Sequence, residues 1–230
     1  FMIRRGERGD TIIEVVFAVT VFSLVAVGGI TIMNQGTATA QRSLEIGLVR
    51  EQIDSQADAL RYIHGAYIAN GATPSTNLAD ESPWEQVIAR AYDATDSGVI
   101  GLSGLADPSG IKCISPSSGT GKPFAINANE LDTKNADKYL LLGQAANSYE
   151  DNIADTTKNL FASPGTYAML RYPGSSGVSR VVADGIWVQA VKSPVGTPVG
   201  YYDFHIMACW SSPGQSAPST LGTIVRLYNA

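Results

Sequence analysis

From Ile12 to Met33 the chain reads IIEVVFAVTVFSLVAVGGITIM, an unbroken apolar run of 22 residues with one charged position, Glu14. As an α-helix it measures about 33 Å at about 1.5 Å per residue, enough to cross a hydrocarbon core about 30 Å thick. The run therefore predicts a membrane-spanning helix, with a helix buried in a soluble fold as the alternative. Beyond it the pattern changes rather than stops. Ile46, Val49, Ile53, Ala57, Leu60, Ile63 and Tyr67 recur at spacings of three and four, which puts them on one stripe of a helix. Arg42, Glu45, Arg50, Glu51, Asp54, Asp58 and Arg61 fall between them and predict a solvated face, with Arg50 and Asp54 as an i,i+4 pair. The two patterns join as one helix from about Thr11 to about Ala69, apolar all round at first and amphipathic afterwards. A separate amphipathic helix after a linker is the alternative. Asn70-Gly71 and Pro74 end the pattern.

Residues 71–230 are the size of one domain. Ser82-Pro83-Trp84-Glu85 predicts a helix start with a capping box, running to about Tyr92. Residues 96–123 are rich in Gly, Ser and Pro and read as loops with short strands, while 137–146 fit helix or strand equally. Three segments read as strands, rich in β-branched and aromatic residues: GIWVQAVK at 185–192, YYDFHIMACW at 201–210 and LGTIVRLY at 221–228. Turn-rich links between them predict an antiparallel meander. Phe204, Ile206, Ala208 and Trp210 share one face of the second strand and are expected to cover the helix stripe; Asp203, His205, Met207 and Cys209 share the other. The predicted class is α+β: a long N-terminal α-helix, membrane-spanning in its first half and amphipathic in its second, packed on a C-terminal antiparallel β-sheet head.

Charge and composition narrow the function. The net charge of -5 argues against a nucleic-acid partner, which needs a basic face. Two histidines and two cysteines leave little material for a metal centre, and no cofactor is expected. Asp203 and His205 share a strand face, yet no G-x-S-x-G elbow accompanies them, so no catalytic residue is assigned. His64 lies beside the helix stripe and reads as a packed or surface residue. The run DTKNAD at 132–137 lacks the EF-hand spacing and glycine, and GTGK at 119–122 lacks the full phosphate-loop pattern.

The N-terminus carries the strongest signal. Arg4, Arg5 and Arg8 precede the apolar run against a single Glu7, which predicts a cytoplasmic N-terminus and an extracytoplasmic head. Glu14 stands two residues into the run, where a carboxylate either rests at the interface or has a positive partner. Gly9-Asp10-Thr11-Ile12-Ile13-Glu14 ahead of a long apolar helix resembles the N-terminus of type IV prepilins and pseudopilins. The resemblance covers roughly residues 4–33: basic leader, glycine, a glutamate fifth from Asp10, apolar helix. Family members usually carry phenylalanine or another apolar residue where this chain has Asp10, and a proline inside the helix, which this chain lacks.

The resemblance implies a leader at 1–9 removed by prepilin peptidase between Gly9 and Asp10, N-methylation of the new terminus, a helix at 10–70 and a head at 71–230. It implies that Glu14 sets subunit register by pairing with a neighbour's free amine. The expected partners are other pilin subunits, the peptidase and assembly machinery, and membrane lipid before assembly. The expected location is a single-pass membrane protein that ends in a cell-surface filament. With the head outside the cytoplasm, Cys113 and Cys209 read as a disulfide, two free buried thiols being the alternative. A rival processing signal, Ala38-Thr39-Ala40, fits an ordinary secretory cleavage site, although the apolar run is longer than a secretory h-region of about 7–15 residues. The alternative function is a signal-anchored or secreted binding domain, adhesin-like, that does not polymerise. A membrane-anchored hydrolase relying on His205 is a third.

Overall fold

The computed structural model describes residues 12–74, 82–96, 98–101, 113, 122–131, 140–142, 167–172, 182–196, 199–212 and 214–229. Helix α1 spans Ile12–Ala69 without a break, passing straight through Ala38-Thr39-Ala40. The chain divides into two units, Phe1–Ser43 and Leu44–Ala230. In the first, none of the described residues is buried, and the apolar side chains from Ile12 to Met33 stand open. The second is an α+β body built on the second half of α1.

Helix α1 ends as Asn70-Gly71 predicts. Gly71 takes a left-handed φ of 87°. Its N–H donates to Ile68 O and that of Ala72 donates to Tyr67 O, the paired bonds of a Schellman turn that satisfy the last carbonyls. The short helix α2, Pro83–Ile88, starts with the expected capping box: the Ser82 hydroxyl accepts from the Glu85 N–H while Glu85 Oε2 accepts from the Ser82 N–H at 2.7 Å. It stops short of Tyr92, whose backbone is taken by a strand instead: Tyr92 N–H donates to Ala190 O at 2.7 Å and Lys192 N–H to Tyr92 O at 2.9 Å.

The three predicted strands are present as β5 (Ile186–Lys192), β6 (Tyr201–Trp210) and β7 (Ser219–Tyr228). Four short strands join them: β1 (Phe124–Ile126), β2 (Leu140–Leu142), β3 (Met169–Arg171) and β4 (Val182–Asp184). The main sheet is antiparallel with order β2-β1-β5-β6-β7, so β5-β6-β7 is the expected meander. Strands β3 and β4 form a separate pair. The Phe204 face is the inner one. Val49, Ile53, Leu60 and Ile63 of α1 share a buried core with Phe204, Ile206, Ala208 and Trp210. Trp84 of α2 closes the far end, its ring 5.8 Å from Phe204, 5.9 Å from Tyr202 and 4.6 Å from His64.

The helix buries three residues outside the predicted stripe, Ala59 and the polar Glu45 and Gln56. Glu45 is buried and Ile46 is exposed, so Glu45 does not belong to the solvated face. Its Oε2 accepts from Trp210 Nε1–H at 3.1 Å and from the Ser212 hydroxyl at 2.7 Å. A buried indole N–H needs an acceptor, and a carboxylate one step round the helix supplies it. Gln56 is fully buried and binds the β1 backbone twice: its Nε2 donates to Ile126 O and its Oε1 accepts from Ile126 N–H, both at 2.7 Å. The predicted Arg50–Asp54 pair is not formed; Arg61 pairs with Asp58 at 2.7 Å on the exposed face instead.

Gln56→Leu would strand both backbone groups of Ile126 away from water. At about 1–3 kcal/mol for each of the two buried groups left unpaired, it should destabilise the head by about 2–6 kcal/mol. Urea unfolding followed by tryptophan fluorescence checks this. A loss below about 1 kcal/mol would mean that water replaces the amide.

Candidate functional site

The first half of α1 is the surface most in need of a partner. It is the one described helix long and apolar enough to cross a membrane. Its hydroxyls are turned inward on the helix itself. Thr20 donates to Phe17 O, Ser23 to Val19 O, Thr31 to Val27 O, Thr37 to Met33 O and Thr39 to Gln35 O, all at 2.8–2.9 Å. Each such bond hides a polar hydrogen and leaves methyl or methylene groups outermost. A bilayer core offers no hydrogen-bonding partners, so this self-satisfaction suits an apolar surrounding.

Glu14 is the exception in this run. It stands in the first turn of α1, where the helix N-terminus favours a negative charge. It is exposed and has no ion-pair partner among the described residues. A carboxylate has four lone-pair sites and no donor of its own when ionised, so its complement is a cation or a set of N–H donors. Gly9 and Asp10, the expected cleavage residues, lie outside the described residues.

The other sequence-flagged residues are in the head. Cys113 and Cys209 are bonded, with their Cα atoms 5.7 Å apart and the two positions 96 apart in sequence. Asp203 and His205 share a face as expected, but Asp203 is engaged elsewhere: its two oxygens accept from Arg226 Nε and an Arg226 terminal nitrogen at 2.7 and 2.8 Å. The same guanidinium lies 4.0 Å from the Tyr201 ring centroid. This carboxylate reinforces the guanidinium proton and pushes the Arg226 pKa up. His205 pairs in register with Gln189 of β5 and Ile224 of β7. Burial lowers its pKa from the usual 6.5, outweighing Asp203 and the Ile100 backbone, which favour the charged ring. His64 Nε2 lies 2.9 Å from Tyr228 O and its ring packs on Trp84. The DTKNAD run and all but Lys122 of GTGK lie outside the described residues.

Three side chains that matter here escaped the sequence reading. Glu45, Gln56 and Gln189 are polar side chains that are buried, the first two on the inner face of α1 and Gln189 on the other face of the sheet. Gln56 stands at the right spacing for the stripe, three residues from Ile53 and four from Leu60. That spacing was the available signal. Glu45 and Gln189 gave none, because their partners come from segments distant in sequence.

Compared with protein-family models, with curated proteins and with solved structures, the chain matches none. The architecture carries the classification alone. A long N-terminal helix, apolar in its first half and packed through its second half on a C-terminal antiparallel sheet, is a pilin-like architecture.

Proposed function

We propose that this chain is a structural subunit of a type IV pilus-like filament, with no catalytic site of its own. The observation that carries the reading is the contrast along α1. From Leu44 onward the helix buries one face in the head, whereas before it none of the described side chains is covered. An apolar helical surface of this length is stable in a bilayer or against other apolar helices, not in water. The subunit is inserted as a single-pass membrane protein, its leader is cut after Gly9, and other subunits then replace lipid around the helix. The freed amine of Asp10 gives the Glu14 carboxylate of a neighbour its cation. Opposite charges in low dielectric attract strongly, and an unpaired one is penalised. The pair therefore sets register, and cleavage switches assembly on. The head, closed by its disulfide, faces outward; the disulfide suits an oxidising compartment.

The test is the mass of the mature N-terminus from cells with their own processing machinery, together with electron microscopy of sheared surface material. A chain beginning at Asp10, found in filaments, is the expected result. A chain beginning at Gln41 would mean ordinary secretion and would overturn the reading. An uncut chain that forms no filaments would favour a static, adhesin-like anchor.

A further inference from the structure

Strand β7 stands at the edge of the main sheet, and no described strand lies beyond it. One bond shows which of its backbone groups face outward. Asn229 N–H donates to Gly200 O, one step past the Tyr201–Tyr228 pair. Positions on an antiparallel pair alternate between bonded and unbonded. Leu227, Val225, Thr223 and Leu221 therefore bond β6, while Tyr228, Arg226, Ile224, Gly222 and Thr220 point away from it. Tyr228 O is met by His64 Nε2 at 2.9 Å, which agrees with that direction and closes this end of the edge. The outward N–H and C=O groups of Thr220, Gly222, Ile224 and Arg226 have no partner among the described residues. Natural sheet edges are usually blunted by lysine, proline or a bulge. Strand β7 has no lysine and no proline, and its register with β6 is unbroken along its length. Ile224 on this edge is 48% exposed.

We propose that the β7 edge docks the β7 edge of a second copy of this chain, antiparallel about a two-fold axis through Thr223, so that two heads share one continuous sheet.

The strand is complementary to itself in that register. The four open residues are centred on Thr223. A two-fold axis there pairs Thr220 of one copy with Arg226 of the other, and Gly222 with Ile224. Each such pair exchanges two N–H···O bonds, so all four open residues are satisfied, and Tyr228, already met by His64, stays outside. The side chains agree with this. On the outer face the exposed Ile224 lies beside the other copy's Gly222, large against small. On the inner face Leu221 meets Val225 and Thr223 meets Thr223, which are favourable cross-strand pairs. Charge agrees as well. Arg226 is the one charged residue of β7, and Asp203 of its own chain holds it. Across from it stands Thr220, so the two guanidinium groups are kept at opposite ends. A two-fold contact requires one patch to serve both sides, and this edge meets that requirement while offering a foreign strand no charge to read. Glu45 stands by Ser212 and Ser219 at the start of β7, and His64 stands at its end. From Leu44 onward α1 therefore runs in the direction of β7, and the pairing joins heads that point opposite ways. It does not depend on polymerisation through the first half of α1.

Disulfide trapping on the full chain in detergent tests this. The chain has no free cysteine, so one introduced thiol reports one position. Residues facing each other in an unbonded antiparallel pair stand about 4.5 Å apart at Cα, within the reach of a disulfide. Under mild oxidation Thr223→Cys should give a covalent dimer, located by non-reducing peptide mass spectrometry. In Leu221→Cys and Ile224→Cys the two thiols start beyond the reach of about 7 Å, and linking should be about tenfold slower or less. Added to Thr223→Cys, Ile224→Pro removes an outward N–H and leaves the β6 ladder intact. The two bonds lost per dimer should cut the trapped fraction about tenfold. Ile224→Lys brings like charges near each other across the axis and should cut it about twofold or more; it keeps the test open if proline unfolds the strand. The Cys113–Cys209 bond and tryptophan fluorescence report folding. No dimer from folded Thr223→Cys, linking as fast at either other position, or trapping indifferent to the folded Ile224 variants overturns the proposal.

Discussion

Glu14→Ala is expected to leave the head folded and the helix in the membrane, yet to reduce filament yield by about a hundredfold or more. On the filament reading, every subunit brings one amine and one carboxylate to the same apolar surrounding. Removing the carboxylate leaves the amine buried and unpaired, which costs about 2–5 kcal/mol for a desolvated pair; about 1.4 kcal/mol is a factor of ten. Insertion itself should become easier, since a charged group within the span is unfavourable by about 2.5–3.5 kcal/mol. The variant thus separates assembly from anchoring. Sheared-filament yield against total membrane-bound protein is the measurement, with the head's disulfide as a folding control. A filament yield equal to the wild type would remove Glu14 from assembly. A rise in membrane-bound protein with no filaments in either form would point to a plain anchor.

Breaking the Cys113–Cys209 bond is expected to destabilise the head by about 4–5 kcal/mol, the chain-entropy figure for a loop near 100 residues. The bond joins β6, in the middle of the meander, to a residue 96 positions earlier. It removes conformations from the unfolded chain that no local contact would remove. Cys209 is also fully buried, so the double variant Cys113→Ala with Cys209→Ala loses packed sulfur as well. With a urea dependence of about 2 kcal/mol per molar, the unfolding midpoint should fall by about 2 M. Chemical reduction of the wild type should give most of the same shift without the packing loss. A midpoint unmoved by either treatment would show that the unfolded chain is already restricted in that loop.

What the sequence disclosed and what it hid divide along a physical line. Features set by near neighbours were legible. The apolar run, the Schellman end at Gly71, the capping box at Ser82 and the three long strands all rest on spacing or local chemistry. Features set by distant partners were not. Glu45 sits beside hydrophobic positions and carries a charge, so helical periodicity assigns it to water. Its partners Trp210 and Ser212 lie more than 160 residues away. The Gln189 amide bonds Ile100 N–H and Gly98 O, 89 and 91 residues earlier. Strands β1 to β4 have three residues each, too few for alternation to register, and each exists through a partner distant in the pattern: β1 between β5 and β2, and β3 with β4. The stripe erred by one position at Ile46 for a similar reason: the indole N–H of Trp210 selects the acid beside it.

The back-bonded hydroxyls of α1 bear on friction as much as on solubility. A rod whose outer atoms are nearly all carbon offers a neighbour few hydrogen-bonding groups. Apolar ridges pack into grooves that recur along the axis, so two such rods have several stops of similar depth. Five hydroxyls pointing outward would have made five competing stops, most of them wrong. On the filament reading, with those folded back, a lone carboxylate near one end picks one stop out of these near-equivalent ones. If the chain does form filaments, adding a second such mark, for example Ser23→Asp, should degrade their regularity before it affects how much of them forms.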